Sequence, residues 1–407
     1  MLAASSSFLN VKVGASSSTR LAQLVDIDWW PMFHHDPGHL GFSTSTAPST
    51  NQTLWNFTTG NFVLSSPAVY GGVVYVGSRD DKVYALNATT GKQLWNYTTG
   101  NWVVSSPAVA NSIVYVGSDD SKVYALNATT GKQAWNYTTG NGVESSPTVA
   151  NGVVYFGSDD HKVYALNATT GKQLWNYTTG MAVLSVPAVA NGVVFVGSYD
   201  NKTYAINATT GKQVWNYTTG DNVYSSPVVV NGTVYVGSND DKVYALNAAT
   251  GKQVWNYTTG NIVLSSPAFD SGMLFVGSSD KKVYAINAAT GKQLWNYTTG
   301  SVVSSSPAVA NGVVYVGSFD DNVYALNATT GALVWKYKTG SYVESSPAVA
   351  NGIVYIGSDD NRVYAFGLRP KVIPEFSSFL ILPVFVVATL VAALILKKKR
   401  NESIISG

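Results

Sequence analysis

His34, His35, Asp36 and His39 are the residues of this chain whose types and closeness first suggest chemistry. Imidazole and carboxylate are the groups that zinc and its neighbours take as ligands. Two adjacent histidines do not easily share one tetrahedral ion, so this spacing argues against a metal centre. Two glutamates, Glu144 and Glu344, stand where the corresponding segments of the chain carry other residues. They are the only non-repeated carboxylates expected near the mouth of a central funnel; acid–base work needs unlike partners converging at one point, and no Glu/Asn/Asp set stands out as a Ca²⁺ site. Aspartate recurs at one constant interval, at Asp80, Asp120, Asp160, Asp200, Asp240, Asp280, Asp320 and Asp360. A bond to its own turn backbone explains that repetition better than a metal does. The chain has no cysteine, which excludes disulfides and thiolate metal sites. Its net charge of +2 provides no basic field for nucleic acid.

What must position any site is a repeat. Trp55, Trp95, Trp135, Trp175, Trp215, Trp255, Trp295 and Trp335 keep the same interval, and so do the prolines from Pro67 to Pro347. One unit reads SSPAVA, Asn-Gly, VVYVG, a turn, KVYALN, Ala-Thr-Thr-Gly, then QLWNYTT. Four short strands in so short a unit make a propeller blade, with no helical period anywhere in it. The composition agrees: aromatics make up 12% of the chain and charged residues only 12%. The predicted fold is all-β, an eight-bladed propeller of four-stranded antiparallel blades over residues 47–367. The chain begins with a lone fourth strand, Leu54 to Thr59, and ends on a third strand, Val363 to Gly367. The first strand is therefore expected to complete the last blade. Each repeated tryptophan is expected to pack between blades; burying an indole of about 200 Å² stabilises by at most about 5 kcal/mol.

The eight copies differ at two connections. The loop from blade to blade carries Phe62, Trp102, Glu144, Asn222, Tyr224, Tyr342 and Glu344 among its variants. The turn between the second and third strands carries Arg79, Asp119, Asp159, Tyr199, Asn239, Ser279, Phe319 and Asp359, with His161 two residues after Asp159. In an up-and-down blade both connections lie on one face, while the Asn-Gly and Thr-Gly turns share the other. Phe62, Trp102, Glu144, His161, Tyr199, Asn222, Tyr224, Phe319, Tyr342 and Glu344 thus form a candidate ligand rim. Aromatics flanked by amides and carboxylates suit a glycan, a peptide or a protein.

The segment from Ala85 to Trp95, Ala-Leu-Asn-Ala-Thr-Thr-Gly-Lys-Gln-Leu-Trp, resembles the tryptophan-docking repeat of the quinoprotein, or PQQ-type, β-propellers, with Asn in place of the usual Asp. Trp30-Pro31-Met32-Phe33-His34-His35-Asp36, followed by Gly41-Phe42-Ser43, resembles the motif with which these propellers begin. The resemblance spans residues 54–367 and implies two functions. Quinoprotein dehydrogenases bind PQQ and Ca²⁺ in the central funnel and oxidise alcohols or aldose sugars. Other relatives have no cofactor and act as binding scaffolds. This chain lacks the cysteine pair and the long inter-blade insertions of the enzymes, so the expectation is a scaffold without catalytic residues, cofactor or metal. A PQQ-dependent dehydrogenase and a structural part of the cell envelope are the alternatives.

Residues 1–46 form a leading segment, 368–376 a linker, 377–396 an apolar run long enough to cross a bilayer, and 397–407 a basic tail. Lys397, Lys398, Lys399 and Arg400 predict a cytoplasmic C-terminus and a propeller outside the cell membrane. Ile373-Pro374-Glu375-Phe376 before the apolar run resembles archaeal C-terminal sorting signals of the Pro-Glu-Phe type. N-x-S/T sequons such as Asn87, Asn96, Asn127, Asn136, Asn216 and Asn231 would accept glycans on an exported chain. Residues 1–24 lack an apolar signal core, which disagrees with export. The last strand runs toward the even face, so the varied rim is expected to point away from the membrane. Lys92, Lys132, Lys172, Lys212, Lys252 and Lys292 ring the membrane side.

Overall fold

The computed structural model describes residues 28–368. The segment at 1–24, the membrane run at 377–396, the sorting segment and the basic tail lie outside the described residues. Among those described, no helix is long and apolar enough to cross a membrane.

The strands form eight antiparallel four-stranded sheets, one of which gains a short fifth strand. In blade 1 the strands are Ala68–Tyr70, Val73–Ser78, Lys82–Asn87 and Gln93–Thr98, paired in sequence order. The second and third are buried on both faces, because each blade is covered by a neighbour on either side. The hairpin between the first two strands of a blade is type I′, as Asn-Gly predicts: in blade 3, Asn151 has φ 51° and Gly152 φ 76°.

The innermost strand is shorter than SSPAVA suggests, only three residues. Pro67 has no N–H, and the two serines before it bond elsewhere. Gly77 N donates to Ser65 Oγ within the blade at 3.0 Å, and Ser66 N donates to Ser106 Oγ of the next blade at 2.9 Å. These serines tie blades together instead of extending a ladder.

The ring closes as expected. Blade 8 holds Ala348–Ala350, Ile353–Ser358 and Arg362–Phe366, completed by Thr53–Thr58 with Trp55 opposite Ala365. Every docking tryptophan reaches the following blade. Trp95 Nε1 donates to Ala128 O at 2.9 Å, and the ring lies on Gly131, where it would leave a Cβ only 2.8 Å from its own Cδ2. The last junction lacks an Ala-Thr-Thr-Gly turn, and the stretch just before Thr53 replaces it. Pro48 O accepts both Trp335 Nε1 at 3.0 Å and the Tyr315 hydroxyl at 3.1 Å.

The repeated aspartates do more than the turn role expected of them. Asp120 Oδ1 accepts its own turn amide, Lys122 N, at 3.1 Å. Its Oδ2 accepts Gly100 N from blade 1 at 2.7 Å and also takes the Tyr124 hydroxyl. One carboxylate thus closes a turn and braces two blades, which accounts for its presence in every copy.

Residues 30–43 run around the inner wall of the channel. Trp30 O accepts Val69 N, Pro31 O accepts Val109 N and Pro37 O accepts Val189 N. Gly38 O then accepts Val229 N, Leu40 O accepts Phe269 N and Gly41 O accepts Val309 N. Phe42–Ser43 pairs parallel with Val309 and Ala310. The innermost strands would otherwise leave these amides as open sheet edges facing the channel, and the segment satisfies them one blade after another.

Candidate functional site

The two varied connections lie on one face because they bond to each other in every blade. Arg79 N donates to Phe62 O, Asp119 N to Trp102 O, Asp159 N to Gly142 O, and so on to Asp359 N with Tyr342 O. Inside this rim a cavity of about 300 Å³ enters the ring. Its wall carries Leu64, Val104, Glu144, Leu184, Tyr224, Leu264, Ser304 and Glu344, one per blade, with Tyr199 beside them. A ring of serines and Phe33 of the leading segment complete the lining. The leading segment therefore closes the channel from the even face, and the cavity is a funnel open on the varied face only.

The predicted rim residues divide into two sets. Glu144, Tyr199, Tyr224 and Glu344 line the funnel. Phe62, Trp102 and Tyr342 are 40%, 44% and 49% exposed on the outer rim. Phe319 and Tyr342 stack with centroids 5.1 Å apart, and Tyr199 and Tyr224 lie 6.2 Å apart. Asn222 accepts Asn239 N through its carbonyl and is half-buried. His161 is an exposed turn residue at φ 68°.

The expectation that Glu144 and Glu344 are the only non-repeated carboxylates near the funnel mouth needs correction. Asp119, Asp159 and Asp359, each directly before a repeated aspartate, lie close enough to Glu144, Glu344 or one another for their charges to interact. Burial, then the charge of Glu144, lifts Asp119 to about 6 against the opposing pull of Arg79. Burial and Asp119 lift Asp159 to about 6, and burial and Glu344 lift Asp359 to about 6. Glu144 and Glu344 are raised as well, chiefly by burial. Arg79 is the cation among them, its guanidinium 4.7 Å above the Trp102 ring. The signal in the sequence was a carboxylate in the varied column at 119, 159 and 359. Reading it required knowing that this column faces the funnel.

His34, His35, Asp36 and His39 build the plug. Among the described residues no group of three or more His, Asp or Glu could hold a metal ion. His39 is buried and its Nδ1 lies 3.1 Å from Pro227 O, so that nitrogen carries the proton. Nε2 then accepts the Thr148 hydroxyl at 3.1 Å. Burial lowers His34 to about 3 and His39 to about 4, so both are neutral at pH 7. Burial also opposes a charge on His35, but Asp28 at 2.8 Å and Asp36 outweigh it and hold His35 at about 9.

Residues 44–145, 137–226, 219–306 and 298–369 match the PQQ_2 repeat family, described as outer membrane protein assembly factor BamB. The chain belongs to this family. Among solved structures, BamB from Moraxella catarrhalis is 19% identical with a TM-score of 0.69, covering 78% of this chain and 99% of that one. A europium-containing methanol dehydrogenase is 16% identical with a TM-score of 0.72, covering 84% and 98%. The computationally designed Ika8 protein is 18% identical with a TM-score of 0.71, covering 78% and 100%. At such identities they share the fold with this chain. No curated protein sequence matches it. The same fold thus occurs in a BamB protein, a dehydrogenase and a designed protein, and the funnel of this chain has to be read from its own residues.

Proposed function

We propose that this protein is a non-enzymatic binding scaffold, held at the cell surface, that takes a glycan, peptide or protein ligand on its varied face. The observation that carries this reading is the difference between the two faces. One face repeats nearly the same hairpin turn in eight blades and the same Thr-Gly turn seven times, and is sealed by residues 30–43. The other gathers unlike side chains around a single funnel. Exposed aromatics around a recess are what protein and glycan partners use as anchors.

The funnel does not suit PQQ, which carries three carboxylates. It would enter a mouth with five carboxylates and one arginine, and its charges would meet like charges. Purified protein given PQQ and Ca²⁺ is expected to leave an artificial electron acceptor unreduced with alcohols and sugars; reduction would revive the dehydrogenase reading.

Leu368 leaves the propeller beside the even face, where Gly367 packs against Gly352 and Ile353 of a hairpin. An anchor at 377–396 would therefore hold the funnel away from the membrane, with the apolar run spanning it and the lysine ring beneath. Binding of the protein to glycan and peptide arrays tests the scaffold reading. Trp102→Ala and Tyr342→Ala are expected to abolish the signal, and unchanged binding would refute the rim.

A further inference from the structure

The floor of the funnel is a ring of hydroxyls with free protons. Ser66, Ser106, Ser146, Ser226, Ser266, Ser306 and Ser346 all line the cavity and are each no more than 7% exposed. Each of these oxygens accepts a backbone amide from the blade before it. Ser106 Oγ accepts Ser66 N at 2.9 Å, and Ser66 Oγ accepts Ser346 N at 3.0 Å. Val186 stands where an eighth serine would be, and its amide is passed on to Ser226 Oγ at 2.9 Å. Among the described residues, none of the seven hydroxyl protons has an acceptor of its own. The Ser304 hydroxyl above them is shut from solvent with no partner at all. Buried donors without acceptors cost free energy unless something fills them.

The mouth above has the opposite demand. Glu344 and Asp359 of blade 8, Asp119 of blade 2, and Glu144 and Asp159 of blade 3 form an acidic arc, with Arg79 of blade 1 inside it. No carboxylate lies within ion-pair distance of Arg79 among the described residues, and one oxygen each of Asp119, Asp159 and Asp359 is buried without a partner. Across the opening stand Tyr199 and Tyr224, the aromatic faces that attract cations. Arg79 over Trp102 shows within the chain how a cation sits here. The carboxylates are too spread to hold a metal ion, so the complement is a larger, organic cation.

We propose that the funnel binds a ligand through an ammonium or guanidinium group, held between Glu144 and Glu344, with the ligand's oxygen atoms accepting the serine protons of the floor. The inference rests on the scaffold reading and names the chemistry of its ligand. Amino sugars and lysine or arginine side chains of a peptide both supply that group. Besides the five carboxylates and Arg79, Tyr199 and Tyr224 line the site, and the exposed His161 acts on it through its charge on Asp159. Asp119, Asp159 and Asp359 gain protons as pH falls through about 6, so affinity for a lysine side chain, charged up to about pH 10, is expected to be full between those limits and to decline below about 6.

The test is calorimetric titration of the full chain with four probes: D-glucosamine, N-acetyl-D-glucosamine, and lysine amide blocked by acetylation at its α-nitrogen, with and without acetylation of the side-chain nitrogen. Binding of an unacetylated probe with loss on acetylation is expected, and which probe binds distinguishes sugar from peptide. Glu144→Gln and Glu344→Gln, near-isosteric changes, are each expected to weaken that binding about tenfold or more while the melting midpoint is kept or raised. Glu344→Lys places an ammonium in the site and is expected to abolish binding. Equal binding of acetylated and free probes, or none by a folded protein, overturns the inference. If in that case Trp102→Ala still abolishes array binding, the scaffold reading stands without it.

Discussion

Individual side chains in this ring are settled by what surrounds them more than by their type. Asp159 and Asp160 are neighbours. Asp160 accepts Gly140 N and the Tyr164 hydroxyl, whereas Asp159 faces other carboxylates and is lifted to about 6. A carboxyl raised in the folded state contributes stability that is full below the ordinary value near 3.8 and lost as pH rises through about 6. Asp159→Asn is therefore expected to melt higher than the parent at pH 7.5, with the gap closing by pH 4.5 in thermal scans. The Asp28–His35 pair works in the other direction. Its aspartate is held below the ordinary carboxylate range, despite burial, by His35, Ser43 and Thr44, and its imidazole is held at about 9. The stability from His35 is full below its ordinary 6.5 and lost as pH rises through about 9, while that from Asp28 is present above 3.8. Asp28→Asn should cost most near neutrality and least above pH 10, measured as the difference in melting midpoint.

At the scale of strands and turns, the same residue type serves two purposes. Gly152 turns a hairpin in open space with φ +76°, and a Cβ there would meet nothing within 4 Å. Gly171 has φ +69°, and a Cβ would lie 2.7 Å from Trp135 Cδ2. Gly152→Ala is expected to cost about 1 kcal/mol for the backbone alone. Gly171→Ala adds a clash with the docking indole, and more than about 2 kcal/mol is expected in denaturant titrations. Trp175→Ala, which removes the indole and its bond to Ala208 O, is expected to cost about 3–5 kcal/mol by the same measurement. Sequence reading found these elements because a fixed period restates each signal in blade after blade. It overestimated the innermost strand, because the bonds that divert Ser65 and Ser66 run to Gly77 and to another blade.

At the scale of the whole ring, closure depends on Thr53–Thr58, which lies at the opposite end of the propeller's chain from its partner Arg362–Phe366. A chain starting at residue 60 leaves blade 8 with three strands and takes away Pro48 O from Trp335 and Tyr315. Such a chain is expected to lose the single cooperative unfolding transition of the parent, seen as a broadened melt with an early phase. The plug belongs to this scale too. In sequence its residues are a lead-in motif with two adjacent histidines. Their part is visible only once six blades present their inner amides to one central space.

The period, the turn chemistry and the unmatched strands at the two ends determined the fold, because each depends on local bonding that a repeat restates in every copy. They also determined that variation is confined to two connections, and hence to one face. What the tertiary structure alone decided is convergence. Residues 119, 144, 159, 344 and 359 are scattered from the second blade to the last, and only ring closure brings them around Arg79. The serine floor has the same origin. A hydroxyl that accepts an amide from a neighbouring blade is indistinguishable, in sequence, from one that caps its own strand. Charge accumulation and free protons in a funnel are properties of a closed circle of blades, and no single repeat contains one.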